Sequence, residues 1–259
     1  LTKNTNGNEG SAPIAFFALV FALTIPFWVL GAIVDIELMP GLPLSSLMVI
    51  SPALAGFILR WREFGRGQAV AFLARAFDVW RLRSPSMIML LLLVNPAVYA
   101  ASYMIQVLTG VDLPAPNIQF GAALGLLALF LVAATAEELG WTGYALEPLQ
   151  RRRGMVQAGL IIGLVAAAWH FVALAQVDRS IEWVMWWTPG TVATRVLMVG
   201  FYNQTGQSVF ALSVYHAISN TCWQLYPVQG SFFDPRLNAL LMIVVVILFL
   251  AWRGRRHSH

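Results

Sequence analysis

Two adjacent glutamates, two histidines and an asparagine stand in stretches that are otherwise apolar. They are Glu137 and Glu138 in AEELGWTGY, His170 in AAAWHF, and His216 with Asn220 in YHAISN. Arg195 is a further charge of this kind, in TRVLMVG. An ionisable side chain within a membrane span costs about 2.5–3.5 kcal/mol on insertion scales, so such residues are rare and turn toward an interior or a wet cavity. Brought together, they have the parts of a hydrolytic site. A carboxylate can take a proton from water, an imidazole can orient that water or protonate a leaving amine, and donors can stabilise a tetrahedral oxyanion. The inventory of Glu137, His170 and His216 could instead hold zinc with one position open, although the ligands come from separate segments and no HExxH motif is present. No nucleophile elbow or Ser/Cys triad pattern occurs.

The elements that must position these residues are membrane helices. Of the 259 residues, 59% are hydrophobic and 11% charged, whereas a soluble domain carries about 25% charged residues. An ordinary soluble enzyme is excluded. Segments able to cross a bilayer need about 20 mostly apolar residues, and eight candidates are read at 13–34, 43–60, 85–108, 118–147, 155–177, 186–203, 207–226 and 236–253. Pro26, Pro52 and Pro96 predict kinks, which neighbouring helices make tolerable. With a rise of about 1.5 Å per residue, Glu137 lies about 20 Å from Gln150, His170 about 22 Å from Met155 and His216 about 14 Å from Gln207, compatible with one layer. Adjacent helical residues diverge by about 100°, so one glutamate points inward and the other sideways, while His216 and Asn220 at i and i+4 share a face. Small residues such as Ala133, Ala134, Ala136, Gly140, Gly143 and Ala166 to Ala168 favour close helix packing.

The net charge of +4 comes with fifteen arginines and one lysine, most of them between apolar runs. They read as topology signals rather than as a nucleic-acid surface. With the N-terminus cytoplasmic, Lys3, Arg60 to Arg83, Arg151 to Arg153, Arg253, Arg255 and Arg256 fall inside, thirteen of the sixteen bases. The outer loops carry Asp35, Glu37, Asp112, Asp178, Glu182 and Asp234 with only Arg179 and Arg236. The expected fold is therefore all-α: a polytopic membrane helix bundle of eight transmembrane helices with both termini cytoplasmic, 1–259 forming a single integral membrane domain. Residues Leu1 to Ser11 lack the pattern of a secretory signal, so the first apolar run is taken as a retained span. Trp61 to Arg83 reads either as an amphipathic helix lying on an anionic leaflet or as a basic connector. Trp183, Trp186 and Trp187 mark the outer interface, where indoles collect. Trp141, Trp169 and Trp223 are expected as packing or cavity wall. Cys222 is the sole cysteine, so no intrachain disulfide forms.

At the glutamates and histidines the sequence resembles the CPBP family of intramembrane proteases, which includes the type II CAAX prenyl endopeptidases and bacteriocin-processing or self-immunity proteins. The resemblance rests on Glu137-Glu138, His170, and His216 with Asn220, in the contexts EELGWTGYALEPLQRR and FYNQTGQSVFALSVYHAISN, and covers about 118–226. It implies that Glu137 and His170 activate water while His216 and Asn220 form an oxyanion site, with no cofactor required. It further implies a membrane-embedded or lipid-modified peptide or protein as substrate, the lipid bilayer as surroundings, no nucleic acid, and a bacterial inner membrane with the site reached from the cytoplasmic side. Two positions depart from the family pattern: Thr142 stands where the family has Arg, and Ala166 where it has Phe. An Arg at that position would neutralise Glu138 along one helix face, so Arg195 is expected to supply the charge from across the bundle, with Glu138, Arg195 and Thr142 as structural partners. Two other function classes stand beside the endopeptidase. One is a catalytically silent relative serving as scaffold or accessory subunit of a membrane complex. The other is a small transporter, which should show internal symmetry; no matching halves are found. Haem or pigment binding through the histidines is a further alternative.

Overall fold

The computed structural model describes residues 12–256; Leu1 to Ser11, with Lys3, and 257–259 lie outside the described residues. The chain is a membrane helical bundle. The first long helix, α1 (Ala12–Ile33), leads into a small hairpin, β1 (Glu37–Met39) and β2 (Leu42–Pro43), paired antiparallel. A tight turn of helix (Leu44–Ile50) then runs into α2 (Ser51–Phe64). Next come α3 (Arg66–Ala74), two short turns at 75–77 and 79–81, and α4 (Pro85–Leu108). The core of the chain follows: α5 (Phe120–Gly140), a wider-wound turn at Trp141–Leu146, α6 (Glu147–Ala175), α7 (Ile181–Gln204), α8 (Val209–Leu225) and α9 (Pro235–Arg256).

Among the described residues, five helical stretches are long and apolar enough to cross a bilayer, and one of them, Phe120–Ala175, spans 56 residues. At about 1.5 Å per residue that is far more than one crossing, and it divides at Gly154, whose φ of 77° lies outside helical conformations and suits a residue without Cβ. The helices α7 and α8 correspond to the sixth and seventh spans read from the sequence but are not among the five. At 17 residues α8 is short for a full crossing, and α7 is made less apolar by Thr188, Gly190, Thr191 and Arg195; Arg195, His216 and Asn220 line the interior cavity. Lipid-facing apolar side chains are plentiful on the outer helices, for example Ile33, Leu108 and Leu248.

The packing pairs α5 with α8, α6 with α7 and α7 with α9, with α2 against α5 and α4 against α8. Close approach of α6 and α7 depends on a small residue at Gly163. A Cβ there would come within 2.9 Å of the Val192 Cα and 3.2 Å of the Arg195 Cβ, so the absence of a side chain on α6 makes room for the arginine of α7.

The stretch Trp61 to Arg83, read either as an amphipathic helix or as a basic connector, is a helix end, a short helix and two turns. It covers one end of the bundle. Arg75 donates to the Gly143 carbonyl (3.2 Å), to the Tyr202 hydroxyl (2.8 Å) and to the Gln207 carbonyl (3.0 Å). Asp78 is buried and accepts hydrogen bonds from Ser208 Oγ (2.7 Å), Val209 N (3.1 Å) and Phe210 N (3.0 Å). A carboxylate on the free amides of a helix start satisfies donors that have no partner within the helix and opposes its dipole. This segment therefore holds α8 by its first turn.

Candidate active site

The site is assembled from four helices. The last turn of α5 brings Glu137 and Glu138, α6 brings His170, α7 brings Arg195, and α8 brings His216 and Asn220. Just beyond the glutamates the chain loosens into the wide turn at Trp141–Leu146, an irregularity often found in helices at functional positions.

The two glutamates differ sharply in their surroundings. Glu138 is 0% exposed and fully occupied: Thr142 Oγ1 donates to its Oε2 at 2.5 Å, Arg195 Nη1 to the same oxygen at 2.7 Å, and His216 Nδ1 to Oε1 at 2.9 Å. Glu137 is 3% exposed yet lines a cavity of about 240 Å³, and it has no hydrogen-bond or ion-pair partner among the described residues. Its charge acts instead on His170 and His216, which line the same cavity. The hundred-degree offset between neighbouring helical residues thus yields one carboxylate tied into the packing and one presented to the open space.

The histidines are oriented through their Nδ1 atoms. His170 Nδ1 lies 2.7 Å from the Ala166 carbonyl, so it carries the proton and Nε2 is left as the acceptor. The small Ala166, where the resemblance expects Phe, contributes that carbonyl. The ring of His170 is flanked by Trp169, with centroids 4.8 Å apart, and by Trp187 at 5.5 Å. His216, with Nδ1 on Glu138, has Nε2 as its remaining polar atom; the imidazolium form offers Nε2–H as a donor. Asn220, one turn further along α8, lines the same cavity. Among the described residues no three His, Cys, Asp or Glu side chains converge closely enough to hold a metal ion.

Several wall residues escaped the sequence reading. Trp183 and Trp187, expected as interface markers, stack at 6.2 Å with 17° between planes and line the cavity, as does Phe233, while Trp223 lines it as expected. Arg179 also lines it and lies over the Trp183 ring at 4.8 Å. Trp141 and Trp169 are fully buried packing, and Trp169 Nε1 donates to Thr24 Oγ1 at 2.7 Å. The lining reaches the hairpin at Gly41 to Pro43, Arg179, and Phe233 to Pro235, the loops at the end opposite the Arg-rich segments. Cytoplasmic termini and entry to this cavity from the cytoplasm, both expected from sequence, therefore point to opposite ends of it.

With this geometry in view, two similarities to known proteins take on meaning. Residues 119–222 match the family described as "Type II CAAX prenyl endopeptidase Rce1-like". The protein "CAAX prenyl protease 2" of Methanococcus maripaludis is 27% identical to this chain in an alignment covering 61% of each. The chain thus spans 61% of the length of that curated relative. The matched segment holds Glu137, Glu138, His170, Arg195, His216 and Asn220, so the part of the chain that carries the site is similar to the type II CAAX prenyl endopeptidases of the Rce1-like kind.

Proposed function

We propose that the protein is an intramembrane endopeptidase that hydrolyses a peptide bond of a membrane-embedded or lipid-modified peptide with water activated by Glu137 and His170. The observation that carries this reading is the unpaired carboxylate of Glu137, buried at the wall of a cavity between two histidines, while its neighbour Glu138 is wholly engaged by Thr142, Arg195 and His216. Glu137 takes a proton from water as the hydroxide adds to the scissile carbonyl carbon. His170 Nε2, an acceptor by virtue of its Nδ1 bond to Ala166, orients that water. The carbonyl oxygen becomes an oxyanion and receives hydrogen bonds from His216 Nε2–H and the Asn220 amide. Collapse of the tetrahedral intermediate breaks the C–N bond, and the proton held by Glu137 passes to the leaving amine.

Glu138 and Arg195 act through His216. The carboxylate fixes the ring by Nδ1, and the guanidinium balances the charge where Thr142 offers only a hydroxyl. The arrangement gives the site its neutralising base without the family Arg, which speaks against the scaffold reading motivated by Thr142. The test is proteolysis of a panel of membrane-anchored peptides by purified protein in liposomes, comparing wild type with Glu137→Gln and His170→Ala, with and without chelator. Cleavage lost in both variants and insensitive to chelator is the expected result. No cleavage across the panel would return the protein to the scaffold class, and chelator-sensitive cleavage would overturn the metal-free scheme.

A further inference from the structure

The two ends of the bundle are built differently. At the Arg-rich end, the 60–83 segment is clamped down: Arg75 ties it to the wide turn, to α7 and to the α7–α8 connection, and Asp78 ties it to α8. Beneath it, Tyr144 donates to Glu63 (2.9 Å), Tyr202 to Glu147 (3.0 Å), and Gln150 and Asn203 bond reciprocally at 2.9 and 3.1 Å. Phe72 of this cover packs against Gly56 and Gly143, and Trp141, Leu146 and Phe201 are buried. No residue of 60–83, 141–157 or 199–211 lines the cavity.

The opposite end is open. The cavity runs from Glu137, His170 and His216 past Trp187 and Trp183 to Arg179, the hairpin at Gly41 to Pro43, and Phe233. Tyr99, Phe130, Trp183, Trp187, Trp223 and Phe233 contribute aromatic rings to its wall, with Trp183 also 6.1 Å from Phe233 and Tyr99 stacked on Phe233 at 5.6 Å. Arginine outside a bilayer's cytoplasmic leaflet is disfavoured during insertion, and the bases of the 60–83 segment, Arg151 to Arg153, Arg253, Arg255 and Arg256 all belong to the closed end.

Resting on the endopeptidase reading, we propose that the substrate enters from the extracytoplasmic face. It is a membrane-anchored peptide whose scissile segment, bearing apolar groups that suit the indole wall, is presented outside the cytoplasm and passes between the 37–43 hairpin, the α6–α7 connection and the α8–α9 connection.

Sidedness can be read without any cleavage. In a Cys222→Ser background, single cysteines are placed in the cavity wall (Ser219→Cys, and independently Ser46→Cys), in the α4–α5 loop (Asp112→Cys) and in the cover (Gln68→Cys), and intact cells are treated with a membrane-impermeant maleimide. The proposal expects both cavity cysteines and Asp112→Cys to label in intact cells, and Gln68→Cys to label only after permeabilisation. Cavity cysteines that label only together with Gln68→Cys after permeabilisation would overturn it, as would Gln68→Cys labelling in intact cells. Proteoliposomes with peptide anchored on one face then separate the two claims. Sided labelling with no cleavage from either face would refute the endopeptidase reading while leaving the direction of access standing; cleavage only of peptide on the Gln68 face would refute the direction alone.

Discussion

Arg195 on α7 and Glu138 on α5 meet at 2.7 Å, with the arginine 7% exposed and the glutamate 0%. A pair so withdrawn from water adds little net stability, because desolvation offsets the attraction, yet removing one partner leaves a buried charge uncompensated. Arg195→Leu is accordingly expected to cost about 3–5 kcal/mol, measured as loss of thermal or chemical stability in detergent. Adding Glu138→Gln to that variant should recover most of the loss. Equal instability of the single and double variants would show that packing, rather than charge, is what Arg195 provides.

Thr142 offers the complementary experiment. Thr142→Arg in the wild-type background crowds a site already holding a guanidinium, and overpacking of this kind costs about 1–3 kcal/mol. In the Arg195→Leu background the same substitution supplies the missing charge one helical turn from Glu138. The double variant should therefore melt above Arg195→Leu alone.

Glu137 and Glu138 should separate kinetically. Glu137→Gln removes a proton acceptor that has no structural partner, so activity should fall by about 10²–10⁴ while the melting temperature stays near that of wild type. Glu138→Gln should lower both, since it disturbs three hydrogen bonds. Identical behaviour of the two variants would contradict the division of labour read from their surroundings.

Asn220→Ala tests the oxyanion site. Loss of one such donor lowers kcat by about 10²–10³, with KM little changed because the interaction strengthens as charge develops in the transition state. A change confined to KM would mark Asn220 as a substrate-binding residue instead.

The residues of the proposed site were conspicuous in the sequence because charge inside apolar runs has few structural excuses. Glu137, Glu138, His170, Arg195 and His216 all stood out in this way, and i, i+4 spacing correctly put His216 and Asn220 on one face. Arg179, Trp183 and Trp187 were not legible as cavity wall, since charge and indole near a helix end are ordinary and only the fold shows which way they face. Asp78 was hidden for a different reason. Its three partners on Ser208, Val209 and Phe210 are about 130 residues away in sequence, and no local pattern announces a cap supplied from such a distance. The break of the presumed amphipathic stretch into pieces follows from Gly65, whose φ of 80° ends α2.

The cap itself predicts a measurable loosening. Asp78→Ala removes the acceptor for the first amides of α8 and should cost about 1–2 kcal/mol. Hydrogen exchange should rise at Val209 and Phe210 before it rises in α6 or α7. Uniform acceleration across the bundle would mean that the cover is integral to global stability rather than to α8.

Phe77 and Trp80, 72% and 70% exposed, flank the aspartate that grips α8, and side chains of this type settle among lipid headgroups. The float and the anchor point are thus one short stretch of chain, and His216 sits about two turns up the helix it holds. A shift of that stretch at the membrane surface is therefore expected to reach α8 first, the helix that carries His216 and Asn220.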